Sequence, residues 1–245
     1  MSDYRDDLPK DVAAGLEGFL VAARHASGEN LKSAVLFGSA AEGRLRATSD
    51  VNLILVFGEV RLTELDALRD AFAFAHSAIS LNSLFLEESE VVLAAQAFAV
   101  KFSDIRVRHR VLYGADVFAG MEVDRGAILQ RLKQVIINMT LRLRERYVLA
   151  GARDEQRVRL IAETSGPIRA CAAAILELEG TAASSPKEAL QFFVQRLAGP
   201  NWNDVVLNLS AARNDLSLSP DVAVATISGV LDLLREMYRC ARDLH

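Results

Sequence analysis

The chain has 245 residues, enough for one large domain or two modest ones with a real hydrophobic core. Apolar residues make up 51% and charged residues 24%, which excludes a disordered chain. A formal net charge of −4 excludes nucleic-acid binding over the whole surface and leaves only a local basic face for such a role.

The N-terminal stretch MSDYRDDLPKD is acidic and polar, without the basic start and apolar run of a secretory leader. Pro9 to His25 predicts a first helix. Pro suits a first turn, and Val12, Leu16, Leu20 and Ala23 fall at helical spacing. Ser33 to Phe37 is a short apolar run stopped by Gly38, which reads as a buried strand. Val51 to Phe57 reads as a second, stopped by Gly58. Thr63 to Ala78 has helical spacing, Ile79 to Leu86 predicts a third strand, and Glu87 to Gln96 and Ile105 to Leu112 predict two short helices. Tyr113 to Asp116 reads as a turn.

Beyond it nearly everything is helical: Arg125–Leu149, Asp154–Glu179, Pro186–Leu197, Trp202–Arg213 and Pro220–Leu244, broken at glycine- and proline-containing joins. Five helices with short joins predict an antiparallel bundle. The expected organisation is therefore a domain of strands and helices over 1–117 and a helical domain over 118–245. No apolar run reaches the ~18 residues of a membrane span, so no membrane partner and a cytoplasmic location are expected. Cys171 and Cys240 have no nearby Cys or His partner and read as small core residues.

The chemistry sits in one stretch. A strand, Ala34 to Phe37, ends in Gly38-Ser39; ten residues later comes Asp50-Val51-Asn52-Leu53, opening the next strand. Gly38 lets a ligand approach the backbone, Ser39 adds a hydroxyl donor, and the N–H groups of a following helical turn favour an anion. That is a phosphate cradle. Asp50 begins the next strand at the end nearest the cradle, where a carboxylate suits magnesium that keeps most of its coordination from phosphate and water. Residues two apart on a strand share a face, so Asp50 and Asn52 point the same way. Arg44 and Arg46 lie in the same loop and read either as phosphate contacts or as solvated surface; Glu42 is the nearest additional acid.

This pattern resembles the nucleotidyltransferase superfamily of the DNA polymerase β type, especially its small bacterial two-domain members. The resemblance covers roughly residues 30–90, and the helical second half matches in style. It implies an α+β fold: a nucleotidyltransferase-type mixed sheet with flanking helices, followed by an all-α helical bundle. It implies a nucleoside triphosphate as partner, magnesium as cofactor, Gly38 and Ser39 as phosphate ligands, and Asp50 as metal ligand. The acceptor it implies is a hydroxyl of a small molecule, a protein or an RNA end. The sequence departs from the family at two places. Asn52 stands where the family has its second acid. The strand Ile79–Leu86, which should carry the third, holds no carboxylate; Ser80 or Asn82 takes that place. Glu87, Glu88 and Glu90 follow that strand and read as a helix start. Asp104 or an acid of the bundle is the other source of a replacement. Three readings follow: an active magnesium-dependent transferase, a weakened relative that binds nucleotide and regulates, or a scaffold for a partner.

The helical half holds a second unusual stretch. Arg125 to Arg159 carries nine Arg or Lys residues against three acids. Arg142, Arg146, Arg153 and Arg157 share a face if one helix runs through Gly151, reading as a phosphate or RNA surface or as a solvated bundle face. Arg239 and His245 match the spacing of an HEPN ribonuclease motif, but six residues on one helix put them on different sides. His25, His76 and His109 are isolated in sequence, and Trp202 reads as a bundle anchor.

Overall fold

The computed structural model describes residues 7–45, 49–181, 183–199, 201–215 and 217–244. It divides into two compact units: Met1–Ala97 with Ile105–Glu122, and Phe98–Asp104 with Val123–His245.

The first unit is built on a four-stranded mixed sheet. In chain order it runs α1 (Lys10–Ser27), β1 (Leu31–Phe37), β2 (Val51–Phe57), α2 (Leu62–Ile79), β3 (Leu81–Glu87) and α3 (Val91–Ala97). After α4 (Ala99–Val107), which begins in the second unit and ends in the first, it closes with β4 (His109–Gly114). The sheet order is β3-β2-β1-β4. β1 is antiparallel to β2 and β4, whereas β2 and β3 are parallel. A parallel pair needs a crossover, and α2 supplies it.

Side-chain alternation sorts the strand residues into two sets. Ala34, Leu36, Leu53, Leu55 and Phe57 join Leu16, Phe19 and Leu20 of α1 and Leu68 and Ala75 of α2 in one core. Val35, Ile54 and Val56 point the other way and have no exposed surface either. Both faces of β1 and β2 are therefore covered, which is why these strands read as unbroken apolar runs rather than alternating ones.

The expected helix Ile105–Leu112 is corrected. Only its start is helical, as the end of α4; His109 to Gly114 is an edge strand paired with β1, and it takes in Tyr113 and Gly114 of the expected turn. Isolated, the run RVRHRVLYG carries no strong period of either kind. Pairing with β1 decides it, a tertiary effect that overrides weak local preference. Gly114 is required there. Its φ is +74°, and a Cβ would stand 1.9 Å from the Lys32 carbonyl oxygen.

The second unit contains α5 (Arg125–Ala150), α6 (Asp154–Leu178), α7 (Pro186–Gln195), α8 (Trp202–Asp215) and α9 (Pro220–Asp243). α6 packs against each of the others, and its Ile161, Ile168 and Ile175 are fully buried among Leu190, Phe193, Leu209, Leu233 and Met237. The caps follow sequence chemistry. Asp124 accepts from the Ala127 N–H at 2.7 Å, and Ser185 accepts from the Glu188 N–H at 3.2 Å with Pro186 in the first turn. Among the described residues no helix is long and apolar enough to cross a membrane.

Candidate functional site

β1 delivers the chain to Phe37, and the next three residues, Gly38 to Ala40, form a single 3-10 turn. Gly38 has φ +76°, a left-handed value that any other residue adopts only under strain. The turn is closed by Ala41 N–H to the Gly38 carbonyl at 3.1 Å. The loop beyond it is closed by Gly43 N–H to Ala40 at 3.2 Å and Arg44 N–H to Ser39 at 2.8 Å. A turn of this kind leaves its first N–H groups without an internal acceptor. Gly38 and Ser39 are half-buried.

The strand register puts the other motif residues at the same end of the sheet. Phe37 pairs with Asn52, and Asn52 pairs in turn with Asn82 on β3. The Asn52 amide nitrogen lies 3.7 Å from where a Cβ on Gly38 would be, and it donates to the Asp50 carbonyl at 3.3 Å. Gly38, Asp50, Asn52 and Asn82 thus form one constellation. Asp50 and Asn82 are exposed and Asn52 is half-buried.

No sequence family model matches this chain, and no curated protein matches it. A solved structure does match in fold: a spectinomycin adenyltransferase from Enterococcus faecialis, crystallised with ATP and spectinomycin, with a TM-score of 0.61. The likeness spans 91% of this chain and 98% of that one at 13% identity. The fold is that of a nucleotidyltransferase. At this identity the likeness is one of fold, and it takes in the helical second half as well as the sheet.

The strand register also places the acids that the sequence offered. Glu87 ends β3 opposite Phe57, at the far end of the strands from Asp50, about 20 Å away at the usual rise per residue. Its carboxylate accepts from the Val60 N–H at 3.0 Å, and Glu90 closes a capping box back onto the Glu87 N–H at 2.9 Å. The Glu87, Glu88 and Glu90 cluster is a helix start and cannot serve as the third acid. Glu42, in the cradle loop, lies 3.9 Å from a guanidinium nitrogen of Arg108. Asp104 belongs to the other unit. Among the described residues no group of three His, Cys, Asp or Glu could hold a metal ion. One carboxylate flanked by two neutral amides does not fit a centre of two magnesium ions.

Arg44 is exposed beside the cradle, and Arg46 lies outside the described residues. Two residues that the sequence did not single out for this site turn out to border it. His109 pairs with Phe37, with Nδ1 2.8 Å from the Ile105 carbonyl and Nε2 3.0 Å from Asp116. Arg108, the residue before it, reaches Glu42. Only the pairing of β4 with β1 brings them there; a basic residue at a strand start is the sole sequence signal.

The basic stretch of the second unit does not make one stripe. Gly151 ends α5 with φ +56°. Arg153 folds back to donate to the Leu149 carbonyl at 2.8 Å, Arg157 pairs with Asp154 at 3.2 Å, and Arg146 pairs with Glu163 at 2.5 Å. Three of its four cations therefore have structural partners. Arg239 pairs with Glu236 at 2.7 Å, and His245 lies outside the described residues. A hollow of about 970 Å³ between α8 and α9, with Trp202 at its edge, shares no residue with the motif.

Proposed function

We propose that this protein binds a nucleoside triphosphate and serves as a nucleotide-dependent regulator or sensor, a nucleotidyltransferase relative weakened in catalysis. The phosphate chain lies on the Gly38–Ser39 turn, with the exposed Arg44 beside it. Asp50 would hold a single magnesium ion, which would supply neutralisation of the phosphate charge. The observation that carries the reading is the pairing of Asn52 with Asn82 beside Asp50. Two amides donate and accept hydrogen bonds but add no negative charge, so the site keeps donors for a ligand and lacks the charge to hold a second ion. Asn52 and Asn82, as neutral amides, cannot take a proton from an attacking hydroxyl.

The test is calorimetric titration with ATP, GTP, CTP and UTP, with and without magnesium, on wild type and Asp50→Ala. Magnesium-dependent binding lost in Asp50→Ala is the expected result. A well-folded protein that binds none of the four would overturn the reading and leave the fold as a scaffold for a partner.

A second reading, nucleotidyl transfer to a hydroxyl of a small molecule, a protein or an RNA end, is favoured by the extent of the likeness, which takes in 98% of a transferase crystallised with ATP and its acceptor. Release of pyrophosphate in the presence of an acceptor would establish it.

A further inference from the structure

Phe37 and His109 are register partners in the antiparallel β1–β4 pair. The residue after the first, Gly38, and the residue before the second, Arg108, therefore leave the sheet at the same end. Arg108 is largely enclosed, its side chain 16% exposed, and among its contacts is Glu42, 22% exposed, at 3.9 Å. Glu42 is in the loop that closes over Ser39. The loop is pinned a second time: Gly43 sits against Asp7, whose carboxylate takes a 2.8 Å hydrogen bond from Arg110 on the same strand as His109. Two acid–arginine pairs thus tie the cradle loop to the start of β4 and the segment before α1. They differ in quality. Asp7–Arg110 is a true charge-assisted hydrogen bond, whereas at 3.9 Å Glu42 and Arg108 attract without sharing a proton.

We propose that Glu42 is an internal stand-in for phosphate: it pairs with Arg108 until nucleotide binds, and the phosphate chain of a bound nucleotide takes Arg108 from it. The proposal rests on the nucleotide reading above and adds a specificity residue and a built-in competitor to that site. The exchange is favourable in direction. A terminal phosphate offers more charge than a carboxylate and three acceptor oxygens to a planar fork that binds phosphate bidentately. The released Glu42 is near enough to solvent to be hydrated rather than stranded.

The proposal separates from a merely structural clasp by sign. If the pair only braces the loop, removing either partner loosens the cradle and weakens binding. If Glu42 competes with phosphate, removing it strengthens binding, and removing Arg108 weakens it. The experiment is calorimetry with ATP and with inorganic tripolyphosphate on wild type, Glu42→Gln, Arg108→Ala, Arg108→Lys and the double variant Glu42→Gln/Arg108→Ala, each checked for folding by circular dichroism. Expected are about tenfold tighter binding in Glu42→Gln and about tenfold weaker binding in Arg108→Ala, the size of one charge-assisted contact. Arg108→Lys falls between, and Glu42→Gln adds nothing once Arg108 is gone. Wild-type binding that Glu42→Gln leaves unchanged or weakens overturns the proposal and leaves the nucleotide reading intact. Absence of binding in every variant overturns both. Binding by Glu42→Gln where wild type is silent supports the proposal and makes Glu42 an inhibitor of the site. If Arg108→Ala does not fold, the sign of the Glu42→Gln effect together with Arg108→Lys decides.

Discussion

Asn52 and Asn82 are register partners across the parallel β2–β3 pair, so two amides stand side by side at the sheet end that carries Asp50. Replacing one by an acid should build an ion site that the native residues do not make. Asn52→Asp places a second carboxylate on the face of Asp50. Without a cation the two repel and stability falls slightly; with magnesium the loss is reversed. Thermal melts with and without magnesium should show an ion-dependent gain of about 1 kcal/mol or more in the variant and a smaller one in wild type. Equal responses would mean that residues 50 and 52 do not converge on one ion.

Gly38 and Gly114 both have positive φ, but for different costs. At Gly38 the nearest atom to an added Cβ is the Asn52 amide nitrogen at 3.7 Å, an ordinary contact, so Gly38→Ala loses only the backbone term of about 1–2 kcal/mol. At Gly114 the Cβ would stand 1.9 Å from the Lys32 carbonyl oxygen, and backbone cannot yield as a side chain can. Gly114→Ala should cost about 4 kcal/mol or more and detach β4. Urea denaturation of the two variants measures the difference. Similar midpoints would contradict the β1–β4 register.

In the bundle, an added Cβ on Gly229 of α9 would stand 2.5 Å from the Val205 Cγ2 of α8. Alanine is the better helix former by about 1 kcal/mol, whereas overpacking costs about 1–3 kcal/mol. Gly229→Ala should therefore destabilise on balance. Val205→Ala, which removes the obstructing methyls, should make the double variant more stable than the sum of the singles by about 1 kcal/mol in a denaturant cycle. Additive losses would place the two helices further apart than described.

The two cysteines should differ in reactivity. Burial pushes the Cys171 thiol up to about 12, and it raises the half-buried Cys240 thiol as well. Since the thiolate is the reactive form, a disulfide reagent at mildly alkaline pH should label Cys240 slowly and Cys171 only after unfolding. Cys240→Ser should abolish native labelling, whereas Cys171→Ser should leave it unchanged. Rapid labelling of Cys171 in the native protein would contradict its place in the bundle core.

Much of this was readable in the chain itself. β2 runs from Val51 to Phe57 as its apolar run predicts, and the helices of the second half fall within a few residues of their expected ends, because glycines, prolines and caps mark them locally. The Gly38-Ser39 and Asp50 motif carried the fold, since a positive-φ glycine after a buried strand is a local requirement. β4 was not readable, because an edge strand reading His-Arg-Val-Leu-Tyr-Gly has no strong period and gains its identity only from its partner.

The sequence alone determined which residues could do chemistry: it placed amides at 52 and 82 and an acid at 50. Only the tertiary structure decided their company. That Asn82 stands beside Asn52 follows from the crossover through α2. That Glu87 is remote follows from strand direction, and that Arg108 meets Glu42 follows from β4 returning to the edge of β1. Local preference acts over a few residues, whereas these neighbours are set by long-range strand pairing and burial of the sheet, which no short stretch of the chain contains.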